Sequence, residues 1–143
     1  MNGQRILATR YHDICCGHRV VGHEGKCRHL HGHNYRFTFE CEASALDVLG
    51  RVIDFSVIKS TLCAWLEEKW DHRFLVFDKD VMLAPLYEVD RSIVAVPFNP
   101  TAENIGLHLL NVVGPELLKD SGVRLIRVTV QETRKCAAVV EVL

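Results

Sequence analysis

Apolar and polar residues alternate from Tyr35 in the run Tyr-Arg-Phe-Thr-Phe-Glu-Cys-Glu. That period of two is the signature of a half-buried strand, with Tyr35, Phe37, Phe39 and Cys41 on one face. Continued back to His31, the same strand carries His31 and His33 on that face, two residues apart and pointing inward. Residues 10–17 are a candidate neighbouring strand. Over residues 56–70 the period changes: Ile58, Leu62, Trp65, Leu66 and Trp70 recur at the three-to-four spacing of an amphipathic helix, with Ser56 as N-cap. A second helix is expected over residues 102–119, capped by Thr101, preceded by Pro100 and bearing Ile105, Leu109, Val112, Val113 and Leu117. Glu103 sits in its first turn, where the helix dipole favours negative charge. Residues 92–96, 123–132 and 137–143 read as strands. In the second of these, Ile126, Val128, Val130 and Glu132 share a face, so a carboxylate ends an otherwise apolar surface. This order of elements predicts an α+β fold, an antiparallel sheet backed by helices. A doubly wound parallel sheet would need strands alternating with helices throughout.

The 143 residues suit one domain spanning 1–143. A chain of this size buries roughly 68–70% of its unfolded surface and folds without staples, so a metal would call for a functional explanation. With 17 Lys+Arg against 18 Asp+Glu, the net charge of -1 lacks the basic footprint of a nucleic-acid binder. No apolar run approaches the ~18 residues of a membrane span, and the first residues lack the apolar stretch of a signal peptide. A soluble, cytoplasmic protein with reduced thiols is expected, with neither nucleic acid nor membrane as partner. Of eight histidines, His12, His18, His23, His29, His31 and His33 fall within the first 33 residues.

That clustering directs attention to His31-Gly32-His33. Two histidines at i and i+2 on a strand present their rings to one ion, and His18 from the adjacent strand completes a set of three. Three imidazoles leave one zinc position open, the catalytic pattern. His12, His23 and His29 remain alternatives for any of the three. Cys27, four residues before His31, reads as a fourth ligand, a thiolate base or a buried small side chain. Cys41 and Cys63 read as packing residues. Asp71-His72 follows the first helix and is either a proton relay or a solvated helix end. Glu132 is an exposed strand end or an acceptor for paired N–H donors such as an amino-pyrimidine edge. Thr101 and Glu103 are capping residues first and ligand contacts second.

Taken together, the stretches Cys27-Arg-His-Leu-His31-Gly-His33-Asn34-Tyr35, Val52-Ile-Asp54-Phe55, Asp71-His72-Arg73, Asn99-Pro-Thr101-Ala-Glu103-Asn104 and Glu132-Thr133 resemble the 6-pyruvoyltetrahydropterin synthase family. The three-residue gap between Cys27 and His31 is similar to the 6-carboxy-5,6,7,8-tetrahydropterin synthase branch that feeds queuosine and other 7-deazaguanines. The resemblance implies a T-fold, a four-stranded antiparallel sheet with two helices on one face, assembled as a homohexamer of two stacked trimers with interface active sites. It implies a zinc ion on His18, His31 and His33, acid/base roles for Cys27, Asp71 and His72, and a pterin anchored by Glu132 with Thr101 and Glu103 assisting. The implied substrate is 7,8-dihydroneopterin triphosphate, converted to 6-carboxytetrahydropterin, acetaldehyde and triphosphate. Arg19, Lys26, Arg28, Arg134 and Lys135 are the candidate cations for the triphosphate.

Two stretches depart from the family pattern. Cys15-Cys16-Gly17 stands where two small residues usually precede the first histidine, placing extra thiols near the proposed metal. Phe74-Leu75-Val76 and the segment to Pro85 replace the usual sequence after Arg73, which predicts a distinctive loop over 76–85. The alternatives are a 6-pyruvoyltetrahydropterin synthase, a folate-pathway relative cleaving the same side chain, and a non-catalytic module with a structural zinc.

Overall fold

The computed structural model describes residues 3–143. Strand β1, Ala8–His18, pairs antiparallel with β2, His31–Ala43, and this ribbon forms the centre of one sheet. A helix over residues 55–69 (α1) follows, then β3, Arg73–Phe77, a short helix α2, Leu83–Val89, and β4, Val94–Val96. A helix over residues 102–118 (α3) leads into β5, Val123–Gln131, and β6, Ala137–Glu141. The sheet order is β4-β3-β1-β2-β5-β6.

The α+β class holds, with two corrections to the expected sheet. It has six strands rather than four, and it is mixed, because β3 runs parallel to β1 and β4 parallel to β3. The reason lies in Arg73-Phe-Leu-Val-Phe77. Leu75 and Val76 are both buried, so the strand reads as an unbroken apolar run with no alternation to mark it. The expected loop over 76–85 is the end of β3, a turn, and the start of α2.

One face of the sheet is dry. Ile14, Tyr35, Phe37, Phe39, Cys41, Val128 and Val130 meet Ile58, Leu62 and Leu66 of α1 and Ile105, Leu109 and Val113 of α3. Each residue of this kind removes an apolar side chain from water, a gain of about 1.5–3 kcal/mol apiece before entropy is counted. The opposite face carries charge: Arg36 chelates Asp13, and Arg127 bridges Glu40 and Glu141.

Both long helices contain one π-helical stretch, Lys59–Cys63 in α1 and Leu109–Val113 in α3. In α3 this wider turn rotates the buried stripe. Leu110 and Leu118 face the core while Val112, expected there, is 56% exposed. The N-cap of α1 is Asp54 and not Ser56, since the Asp54 carboxylate accepts the Ser56 N–H at 2.9 Å. Thr101 does cap α3, its hydroxyl accepting the Asn104 N–H at 3.1 Å. All six cysteines are free, with Cys41 and Cys63 buried as packing residues. Among the described residues no helix is long and apolar enough to cross a membrane.

Candidate metal centre

The register of the β1–β2 ribbon builds the site. His18 lies directly opposite His31, and His33 pairs with Cys16, two places along. Directly opposed and diagonal residues on one face are close enough for their rings to meet. The ring centroids are 4.5 Å apart for His18 and His31, 5.1 Å for His18 and His33, and 4.9 Å for His31 and His33. One nitrogen from each ring lies within 4.8 Å of the other two.

Their hydrogen bonds fix which nitrogen is offered. His18 Nδ1–H donates to the Pro100 carbonyl at 2.6 Å, and His31 Nδ1–H donates to the His29 carbonyl at 2.7 Å. A neutral ring that donates from Nδ1 keeps a lone pair on Nε2. The Nε2 atoms of His31 and His33 are buried and have no hydrogen-bond partner. The Tyr35 hydroxyl lies 3.2 Å from His18 Nε2 and 3.3 Å from Nδ1. Of the three Nε2 atoms, that of His18 therefore has a hydroxyl beside it. Buried nitrogens left without partners, with carbonyls fixing the ring tautomer behind them, are what a bound cation requires. The residues fit a metal. Burial also holds His18 neutral, lowering its pKa to about 4, and lowers that of His33, with the charge of His31 adding to the effect.

Behind the triad, the segment Asn99-Pro100-Thr101 acts as a brace. The Asn99 side chain clasps the Val21 backbone, accepting its N–H at 2.9 Å and donating to its carbonyl at 3.0 Å. The Asn104 amide donates to the Asn99 carbonyl at 3.0 Å. The loop leaving His18 is thereby tied to the start of α3, and the Pro100 carbonyl is delivered to the His18 ring. Sequence reasoning saw Thr101 as a cap and missed Asn99, Pro100 and Tyr35. An Asn-Pro-Thr start to a helix was the available signal, but a carbonyl contact 82 residues distant leaves no trace in spacing.

Glu132, just past the end of β5, brings its carboxylate to the triad. Its two oxygens lie 3.9 Å from His18 Nε2 and 4.0 Å from His33 Nε2. Burial raises its pKa, and the charge of Glu103 raises it further while His31 opposes. Cys27 sits half-buried in the turn Lys26–Arg28, where its carbonyl accepts the Val20 N–H at 2.8 Å. The pKa of the buried Tyr35 hydroxyl rises through burial first and then through the carboxylate of Glu132. Among the described residues the cluster with all donor atoms within 4.8 Å holds the three rings alone, with Cys15, Cys16 and Cys27 outside it. The alternative histidines His12, His23 and His29 are outside it too. His12 faces Glu67 at 2.6 Å, and His23 Nδ1 accepts the Gly25 N–H at 2.8 Å.

Asp71 and His72 form a dyad, His72 Nδ1 to Asp71 Oδ2 at 2.9 Å. The pair is tied to β1: Asp71 accepts the Cys15 N–H at 3.0 Å, and the His72 N–H donates to the Cys15 carbonyl at 2.6 Å. His72 has φ of 60°, the one left-handed non-glycine residue among those described. Its ring opens into a recess at the end of the β1–β2 ribbon that Cys15, Cys16, Gly32, His33, Asn34 and Phe74 also line. Asp71 and His72 also line a second recess with Asp13, Cys15, Asn34 and Arg36, whose positions alternate with the triad's, so within one protomer the dyad lies toward the opposite face of the sheet.

Of the five candidate cations, Arg19 is committed to the buried Asp80, Nε to Oδ2 at 2.6 Å. Arg28 donates to the Glu24 and Gly25 carbonyls. Lys26, Arg134 and Lys135 are exposed, and Arg134 lines a second recess with Asp71 and His72.

The family profile described as 6-pyruvoyl tetrahydropterin synthase matches residues 8–142. The chain belongs to the 6-pyruvoyl tetrahydropterin synthase family. A Rickettsia typhi protein named 6-carboxy-5,6,7,8-tetrahydropterin synthase is 36% identical over 133 residues, covering 92% of this chain and 96% of the relative. One from Halobacterium salinarum, named as probably the same enzyme, is 36% identical over 122 residues, covering 84% and 76%. Family membership and relatives named for a lyase make this chain an enzyme, which removes the reading as a purely structural zinc module. Among solved structures, an uncharacterised Wolinella succinogenes protein superposes with a TM-score of 0.85 at 25% identity, covering 97% of this chain and 99% of its own. The Caenorhabditis elegans 6-pyruvoyl tetrahydropterin synthase shares the fold, with a TM-score of 0.68 at 22% identity over 98% and 97%. The architecture is the T-fold of this family.

Proposed function

We propose that this enzyme is a zinc-dependent carbon–carbon lyase converting 7,8-dihydroneopterin triphosphate to 6-carboxy-5,6,7,8-tetrahydropterin, acetaldehyde and triphosphate. On this reading it is a cytoplasmic enzyme of the branch leading to queuosine and other 7-deazaguanines. The observation that carries the reading is the convergence of three imidazoles, two of them with buried unpartnered nitrogens, beside a half-buried carboxylate. The names of the curated relatives and the Cys27–His31 spacing support the carboxy product.

His18, His31 and His33 hold the metal, and their nitrogen donors suit zinc. Held by these three rings, zinc would supply Lewis acidity toward the hydroxyls of the substrate side chain, which would make neighbouring C–H protons more acidic. Cys27 takes a carbon-bound proton as the thiolate. Asp71 holds His72 by Nδ1, which orients Nε2 to return a proton elsewhere on the substrate. Glu132 accepts the paired N–H donors of the amino-pyrimidine edge, and Thr101 and Glu103 at the head of α3 assist in seating it. Arg134, beside His72, is the cation best placed to meet the triphosphate.

Because the dyad and the triad lie on opposite faces of one sheet, the acid/base pair of one copy serves a metal centre on another. That placement supports a site shared between copies, and the homohexamer of two trimers is the assembly that the family resemblance implies.

Incubating the zinc-loaded protein with 7,8-dihydroneopterin triphosphate tests the reading. Equal amounts of 6-carboxytetrahydropterin and acetaldehyde are expected. A pyruvoyl pterin without acetaldehyde would move the protein to the other branch of its family.

A further inference from the structure

Glu132 stands in an unusual position for a residue whose proposed task is to hold a pterin. Its two carboxylate oxygens reach toward two different rings of the triad, at 3.9 Å from His18 Nε2 and 4.0 Å from His33 Nε2. The three imidazole nitrogens are themselves within 4.8 Å of one another. The carboxylate thus approaches two of the three nitrogens, those of His18 and His33, and stands outside the tight cluster that includes His31. Four ligands about a tetrahedral zinc, each near 2.0–2.1 Å from it, lie ~3.4 Å apart. For those two rings the gap to that spacing is about half an ångström, and a side chain that keeps 24% of its surface exposed has room to turn one oxygen further in toward His31.

The electrostatics point the same way. His18 donates from Nδ1, so its Nε2 is a lone pair, and what faces it across 3.9 Å is a carboxylate. Acceptor meets acceptor, with the buried and unpartnered Nε2 of His33 alongside. Such an arrangement in a half-buried site needs a cation between the groups. Among the described residues no hydrogen bond to another side chain draws the Glu132 carboxylate away, and its backbone is pinned by Glu132 N–H donating to the Cys136 carbonyl at 3.2 Å.

We propose that Glu132 is the fourth ligand of the metal in the resting site, and that a pterin, by claiming the carboxylate, opens that position for the substrate side chain. The first half needs only the metal centre. The second half rests on the pterin reading above. One carboxylate then does two exclusive jobs, and the coordination position becomes free only when the correct ring is seated. Water and adventitious hydroxyl compounds are kept off the metal until then.

The test uses the full-length protein stripped of metal and reloaded with one equivalent of Co²⁺, whose visible absorption reports ligand number and type. Glu132→Ala and Glu132→Gln should each alter the Co²⁺ spectrum relative to the unsubstituted protein and weaken Co²⁺ binding at least about tenfold, with unchanged far-UV circular dichroism. Pterin itself, which carries the amino-pyrimidine edge but no side-chain hydroxyls, should convert the unsubstituted spectrum to that of Glu132→Ala and leave the variant unchanged. Identical spectra and affinities in all three proteins would overturn ligation by Glu132 while leaving the triad intact. A spectral difference without any response to pterin would overturn the exchange alone. Failure of the unsubstituted protein to take up Co²⁺ would defeat the metal centre and this inference together.

Discussion

The imidazole of His18, midway through the sheet, is held by the backbone carbonyl of Pro100 at 2.6 Å, a residue at the entrance to α3. The contact fixes the ring's tautomer from behind, and Asn99 holds the carbonyl in place by clasping Val21. Asn99→Ala should leave a folded protein whose metal affinity falls about 10- to 100-fold, the usual cost of losing support behind a metal-binding histidine. Competition with a chromophoric chelator measures this. Unchanged affinity would show that the brace is dispensable.

His72 adopts a left-handed backbone conformation, which costs a non-glycine residue roughly 1–2 kcal/mol. Glycine escapes that strain but loses more backbone entropy on folding, about 0.5–1 kcal/mol. His72→Gly is expected to be as stable as the natural protein, or up to about 1 kcal/mol more stable, while its turnover collapses. Urea unfolding beside a product assay reads both. A destabilised His72→Gly would mean that the Asp71 contact outweighs the strain.

Burial pushes the thiols of Cys16 and Cys41 up to about 12. Near neutral pH almost none of either is thiolate, the reactive form. Iodoacetamide applied to the native protein should leave both untouched, whereas the exposed Cys136 is modified. Denaturant should expose all six. Peptide mass spectrometry distinguishes the cases, and fast native labelling of Cys16 would show that the end of β1 opens readily.

His108 lies between Trp70 and Phe98, with ring centroids 6.2 and 5.0 Å away, and burial lowers its pKa from the ordinary 6.5. The unfolded chain therefore takes up a proton at a higher pH than the folded one. The contribution of neutral His108 is complete above about pH 6.5 and is lost as pH falls below it. His108→Phe should flatten the loss of stability between about pH 7.5 and about pH 5.5. Because His18 acts in the same direction, the difference between variant and natural protein is the quantity to compare. Equal slopes would count against the assignment.

Much of this was written in local pattern. Alternation over residues 35–42 gave β2, the spacing of Ile58, Leu62, Leu66 and Trp70 gave α1, and extending β2 backwards put His31 and His33 on the inner face. What stayed hidden is non-local or non-periodic. β3 is buried on both faces and carries no alternation. The π-helical turn in α3 shifts the stripe by one residue, so Leu110 replaces Val112. The ion pair of Arg19 with Asp80 spans 61 residues, and no spacing rule marks Asp80 as a buried partner. The opposite-face placement of the Asp71–His72 dyad depends on β3 joining the sheet beside β1, which only the three-dimensional pairing reveals.

Gly17 and Phe74 pair across β1 and β3, and the Phe74 ring fills the space that a side chain at position 17 would need. The two positions are therefore linked in descent. A lineage that gains even a methyl group at 17, immediately before the His18 ligand, must shrink or displace the aromatic ring at 74. Whichever of the two changes, the other must make room for it or fill the space it leaves.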